Sequence, residues 1–167
     1  MSRLLLLRHA KAGWAAPGMR DFDRPLDETG RQDSEAIGAV MARANYRPDL
    51  VLCSSAVRAR ETLDGVNSSV TTPTIRFLDG LYATDAGGYL ELIQSADGAE
   101  TVLVVGHNPM MEDVGIALPG DGDAAANDMI AAGFPTAGLA VIRFDGPMAG
   151  IAPGTGYLEA MLVPPSR

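Results

Sequence analysis

The chain holds a single cysteine, Cys53, among its 167 residues. An internal disulfide is therefore excluded, and a reducing compartment is the natural home. Positive charge is scarce: 13 Lys and Arg stand against 21 Asp and Glu, a net charge of −8. A surface of that sign repels nucleic acid and anionic membranes, so neither is expected as a partner, while a small anion site built from a few arginines stays open. Long apolar runs are missing. The N-terminal run Leu4-Leu5-Leu6-Leu7 is too short for a signal-peptide core or a membrane span, and no run reaches the ~18 residues that a span requires. A cytoplasmic protein is expected. Familiar chemical signatures are absent too: there is no Gly-x-Ser-x-Gly elbow and no Gly-x-x-x-x-Gly-Lys loop. No cysteine, histidine or carboxylate cluster has metal-ligand spacing, so no metal and no cofactor are expected.

What the chain does have is 47% apolar and 20% charged residues, a balance that suits one globular domain over residues 1–167. The leucine run reads as a buried strand that stops at Arg8-His9. Residues 12–28 have loop composition and carry Arg20, Asp21, Asp23 and Arg24. Residues 29–44 read as a helix capped by Thr29, with Ile37, Val40, Met41 and Ala44 at spacings of three and four. A second strand, 49–53, leads into Ser54-Ser55 and a helix whose first turn attracts anions. A third strand is predicted over 74–78, then a loop over 79–85 with two carboxylates. A short helix over 89–96 is closed by Asp97-Gly98. A fourth strand, 101–105, ends at Gly106-His107, and a helix over 110–118 follows, with Asn108 as its cap. Residues 120–127 read as an exposed acidic loop and 128–132 as a short helical turn. A fifth strand is expected over 139–144 and an edge strand over 157–163. Strands alternating with helices predict an α/β three-layer sandwich: a mostly parallel central sheet flanked by helices, with no cap insertion.

Right-handed crossovers bring Arg8-His9, Ser54-Ser55 and His107 to one edge of such a sheet, where open α/β folds place their ligands. The chain's two histidines, His9 and His107, each follow an apolar strand. Around them stand Arg8 and either Arg58 or Arg60. Arginine matches phosphate oxygens bidentately, and a histidine among such groups can attack phosphorus.

Four ordered motifs between residues 4 and 109 sharpen this reading: Leu6-Leu7-Arg8-His9-Ala10-Lys11, then Asp23-Arg24-Pro25-Leu26 with Gly30 and Arg31, then Ser54-Ser55-Ala56-Val57-Arg58-Ala59-Arg60-Glu61-Thr62, then Val105-Gly106-His107-Asn108-Pro109. With them the chain resembles the histidine phosphatase (phosphoglycerate-mutase-like) superfamily. The His-Ala pair, the Asp-Arg-Pro-Leu loop and the short length resemble its SixA-like phosphohistidine phosphatase branch. Larger members have glycine where this chain has Ala10, which reads as a branch marker.

The resemblance implies that His9 is the nucleophile and that Arg8, Arg58 and His107 complete a phosphate pocket. Arg58, not Arg60, matches the family's Ser-x-x-x-Arg-Ala pattern. Larger members protonate the leaving group with a glutamate near the third strand; here Asp79 is the nearest carboxylate, with Asp85 in reserve. Arg24 either touches phosphate or pins its loop to Asp21 or Asp23. Lys11 reads as exposed, Cys53 as core packing, and Trp14 as a mouth residue or core cover. The implied activity is metal-independent hydrolysis of phosphohistidine on a partner protein at an open, shallow site. The alternatives are a small-molecule phosphomonoesterase of the same superfamily and a silent phosphate-binding module, which ranks last because His9 is present.

Overall fold

The computed structural model describes residues 1–96 and 98–166. Among them, strands β1 (Ser2–Arg8), β2 (Leu50–Ser54), β3 (Ile75–Leu78), β4 (Thr101–Gly106), β5 (Pro119–Gly122), β6 (Leu139–Phe144) and β7 (Gly156–Leu162) form one sheet in the order β3-β2-β4-β1-β6-β7-β5. The helices are α1 (Glu28–Arg43), α2 (Val57–Asn67), α3 (Gly80–Ala83), α4 (Ala86–Gln94), α5 (Met110–Ala117) and α6 (Ala124–Ala131). β1, β2, β3 and β4 run parallel to their neighbours within that group, as β5 does to β7; β6 is antiparallel to both β1 and β7. The fold is the expected α/β sandwich.

The leucine run of β1 serves both layers. Leu4 and Leu6 pack with Tyr89, Ile93, Met111 and Ile130 on one face. Leu5 and Leu7 pack with Ile37, Met41, Leu63 and Val66 on the other. All four leucines are fully buried, each stabilising the fold by about 1.5–3 kcal/mol. This is why the strand reads as continuous hydrophobe and not as alternation: helices cover both of its sides.

Register sets the site. Arg8 pairs with Gly106, so β1 and β4 end level, and His9 and His107 each come directly after the last pair. Cys53 of β2 pairs with Val105, which brings Ser54 to the same edge.

Several local expectations change. Asp27, not Thr29, caps α1: its carboxylate accepts from Gly30 N at 2.7 Å. The predicted loop over 79–85 contains α3, and α4 starts at Ala86 under an Asp85 cap. The glycines at 80, 87 and 88 lower helix propensity and hide these turns from pattern reading. The acidic stretch after Leu118 is not a free loop. Pro119–Gly122 pairs with β7, and Asp123 caps α6 by accepting from Ala126 N. Such a Gly- and Asp-rich strand owes its form to its partner strand and not to its own propensity. β7 is consequently interior, because β5 lies outside it. Asp97, read as part of a helix stop, lies outside the described residues. Between β2 and β4 the described residues form only α2, β3, α3 and α4, without a roofing insertion. No helix among them is long and apolar enough to cross a membrane.

Candidate active site

His9 leaves β1 with its amide bonded to the Gly106 carbonyl at 3.0 Å. The residue is 8% exposed, and Nδ1 lies 2.7 Å from the Ala10 carbonyl. A carbonyl can only accept, so Nδ1 carries the proton and Nε2 keeps its lone pair. Burial, together with the charges of Arg58, Arg8 and Arg24, pushes His9 down to about 4, against an upward pull from the Ala10 bond. At neutral pH the ring is therefore neutral, with a lone pair available on Nε2.

His107 lies with its ring centroid 5.1 Å from that of His9. Its amide donates to the Tyr89 hydroxyl at 3.1 Å, and that hydroxyl donates in turn to the Leu81 carbonyl. His107 Nε2 is 2.8 Å from Ser54 Oγ. Ser54 Oγ also accepts from Ala56 N at 3.2 Å, which leaves it one proton and a second lone pair for Nε2; when the hydroxyl donates, His107 carries its own proton on Nδ1. Burial, His9 and the two arginines push His107 down to about 3, with Asp21 opposing.

The two guanidiniums are anchored at their tips. Arg8 Nη1 donates to the Phe134 carbonyl at 2.8 Å, which also accepts from Asn108 Nδ2 at 3.0 Å. Arg58 Nη1 and Nη2 reach the Asp21 carbonyl and Oδ2 at 2.8 and 3.1 Å. Thr62, fully buried, joins the two sides of the site by accepting from Ala10 N and donating to the Arg58 carbonyl. Glu61 accepts from Leu26 N and ties down the Asp-Arg-Pro-Leu loop. Four buried side-chain polar atoms among the described residues have no partner, and three belong here: Arg8 Nε, Arg58 Nε and His107 Nδ1. Two unpaired guanidinium N–H donors and an unpaired imidazole nitrogen, set beside the neutral ring of His9, form a receptor for an oxyanion, which selects the His107 tautomer with its proton on Nδ1.

Sequence-predicted residues divide plainly. Arg8, His9, Arg58 and His107 come together. Arg24 stands just behind them, with Nε on Asp21 Oδ1 at 2.8 Å and Nη1 on the Gly13 carbonyl at 3.1 Å, so it pins its own loop. Arg60 lies over the Phe77 ring at 4.1 Å and donates to the Ser55 carbonyl. Asp79 is exposed at the end of β3, and no hydrogen bond or ion pair joins it to either histidine. Asp85 is occupied as the cap of α4. Lys11 pairs with Asp27 at 3.7 Å, and Trp14 is 97% exposed.

Sequence reasoning missed Asp21 and Tyr82. Asp21 sits in a 3-10 turn, Asp21–Asp23, and Tyr82 comes from α3; Tyr82 Oη donates to Asp21 Oδ2 at 2.9 Å. The Tyr82 ring meets His107 edge-on at 5.6 Å and Phe22 at 5.0 Å. The one signal in the sequence was the loop after β1, too long to be idle. No three His, Cys, Asp or Glu side chains among the described residues gather as a metal ligand set.

Known proteins match this picture. The sequence model of the histidine phosphatase superfamily (branch 1) matches residues 4–100. An uncharacterized protein of Mycobacterium tuberculosis is 38% identical over 162 residues, covering 95% of this chain and 99% of its own length. A crystal structure from Agrobacterium tumefaciens, provisionally assigned as phosphohistidine phosphatase SixA, is 38% identical with a TM-score of 0.83, covering 98% of this chain and 99% of that one. A second structure with the same provisional assignment, from Nakamurella multipartitia, is 31% identical with a TM-score of 0.85, covering 99% and 97%.

Proposed function

The chain belongs to the histidine phosphatase superfamily, and from that premise we propose that it hydrolyses phosphohistidine on a protein, without a metal, through a covalent phosphohistidine on His9. The observation that carries the reading is the set of buried, unpartnered nitrogens, the donors Arg8 Nε and Arg58 Nε with His107 Nδ1, around an imidazole whose Nε2 is free to attack. Phosphoryl oxygens satisfy these donors, and the guanidiniums offset the charge that gathers on the equatorial oxygens during transfer.

His9 Nε2 forms a bond to phosphorus as the bond to the leaving group breaks. Because Nδ1 keeps its proton on the Ala10 carbonyl, phosphorylated His9 is an imidazolium. Water then attacks phosphorus, the Nε2–P bond breaks, and His9 returns to its neutral form, the water's proton going to the departing phosphate. A phosphorylated imidazole needs less help from an acid than an alkoxide does, which suits a site where Asp79 touches neither histidine. The short connection between β2 and β4 leaves room for a side chain presented by another protein. The assignments of the two solved neighbours support the same reading.

The test is a phosphohistidine-bearing protein incubated with the enzyme in the presence of a chelator. Turnover is expected, with acid-labile phosphate trapped on the wild type and none on His9→Ala, whose rate falls by about a thousandfold or more. Activity lost to the chelator would overturn the metal-free route. Turnover confined to free phosphate esters would make the enzyme a small-molecule phosphomonoesterase instead.

A further inference from the structure

We propose that the Asp21 carboxylate selects substrates whose leaving group enters the site as a cation; under the phosphohistidine reading above, on which this rests, that cation is the ring-protonated, imidazolium form of the substrate. Asp21 is the one carboxylate bonded directly to a pocket arginine among the described residues. Its Oδ2 accepts from Arg58 Nη2 at 3.1 Å and from Tyr82 Oη at 2.9 Å, and its Oδ1 accepts from Arg24 Nε at 2.8 Å. Yet its side chain is 54% exposed. A carboxylate held by three donors, one of them the pocket's Arg58, and still open to solvent stands at the pocket's side within reach of what enters.

Its protonation state decides what it can do there. Burial pulls the Asp21 carboxyl upward, but the Tyr82 hydrogen bond and the Arg58 and Arg24 charges outweigh this and leave it below the usual carboxylate range. Asp21 is therefore an anion at neutral pH and not a proton donor. What an anion can offer a leaving group is attraction to positive charge.

Its neighbours fit a planar cation. Rings follow one another outward from the nucleophile: His9 to His107 at 5.1 Å, His107 to Tyr82 at 5.6 Å, Tyr82 to Phe22 at 5.0 Å. Phe22 adjoins Asp21 in the same turn. One planar cation already uses this wall: the Arg20 guanidinium lies 5.5 Å from the Phe22 ring centroid. A carboxylate beside aromatic rings is a receptor for a flat cation.

The chemistry agrees. If the phosphorylated ring carries a proton on its other nitrogen, attack by His9 Nε2 breaks the P–N bond and the electron pair returns to the ring, which leaves as neutral imidazole. No enzyme acid is consumed. A leaving group bearing its own carboxylate meets Asp21 as a like charge and is disfavoured.

The experiment uses two aryl phosphates of opposite substituent charge, a para-trimethylammonio ester and a para-carboxy ester, each rate divided by that ester's uncatalysed hydrolysis rate to remove the difference in leaving-group ability, together with a phosphohistidine peptide. kcat/KM is measured for wild type, Asp21→Asn and Asp21→Ala. The wild type is expected to favour the cationic ester over the anionic one by about tenfold or more, and both variants to collapse that ratio toward one. If Asp21 only orients Arg58, all substrates lose activity in parallel and the ratio survives, which overturns the proposal. A wild type with no charge preference overturns it as well. A wild type that shows the preference but ignores the peptide overturns the phosphohistidine reading and leaves the selection by Asp21 standing.

Discussion

Ser54 Oγ has one proton to give and two neighbours, Ala56 N and His107 Nε2. The hydroxyl can donate to Nε2 while one of its lone pairs accepts from the amide, and so it supports the tautomer whose Nδ1–H faces an incoming anion. Ser54→Ala removes that support, and kcat/KM is expected to fall about 10- to 100-fold, the usual effect of deleting a group that orients an active histidine. Ser54→Thr, which keeps the hydroxyl, should recover most of it; equal losses in both variants would show that the hydroxyl is not the cause. At this scale the sequence was legible where chemistry coincides with an element's end. Arg8, His9 and His107 each terminate an apolar run, and Arg58 opens a helix. Asp21 and Tyr82 were illegible because they are 61 positions apart and neither belongs to a periodic pattern. Only folding makes them neighbours.

Elements meet closely around the second histidine. A Cβ on Gly106 would lie 2.6 Å from Tyr89 Oη and 2.9 Å from its Cε2. Tyr89 is fully buried and holds both the His107 amide and the Leu81 carbonyl, so it cannot swing aside. Gly106→Ala is therefore expected to cost about 1–3 kcal/mol of stability, the range for overpacking a filled core, and to lower kcat/KM by displacing His107. Urea denaturation and steady-state kinetics on the same preparation check it; a variant with the wild-type midpoint would show that the contact yields. The strands with strong apolar runs were readable to within a residue or two. α3, β5 and the start of α4 were not, because glycine, aspartate and alanine carry no periodic signal and these segments are shaped by what they pack against.

For the molecule as a whole, two buried neutral imidazoles link the fold to pH. His9 is held at about 4 and His107 at about 3, against the ordinary 6.5 that they recover on unfolding. Between those values the unfolded chain binds protons that the folded chain refuses, so stability is full above about 6.5 and declines as pH falls toward about 4 and below. Urea midpoints measured from about pH 7 down to about pH 4 should drop more steeply for wild type than for His107→Asn. Inorganic phosphate should soften the drop by binding only the folded site. Identical slopes in the two proteins would refute the assignment. The layered architecture was visible in the sequence at this scale because a sheet covered on both faces needs uninterrupted apolar strands, and Leu4 to Leu7 and Val102 to Val105 supply them.

β1 and β4 end level at Arg8 and Gly106, so the gap between the two imidazoles is a strand spacing, while Asp21, Phe22 and Tyr82 stand on turns outside the ladder. The Asp21 turn still reaches back to the sheet edge, because its carbonyl and carboxylate hold Arg58, so an exchange there unties a pocket arginine. The spacing of the two imidazoles is inherited with the sheet, whereas what surrounds them is set by the turns and changes with them.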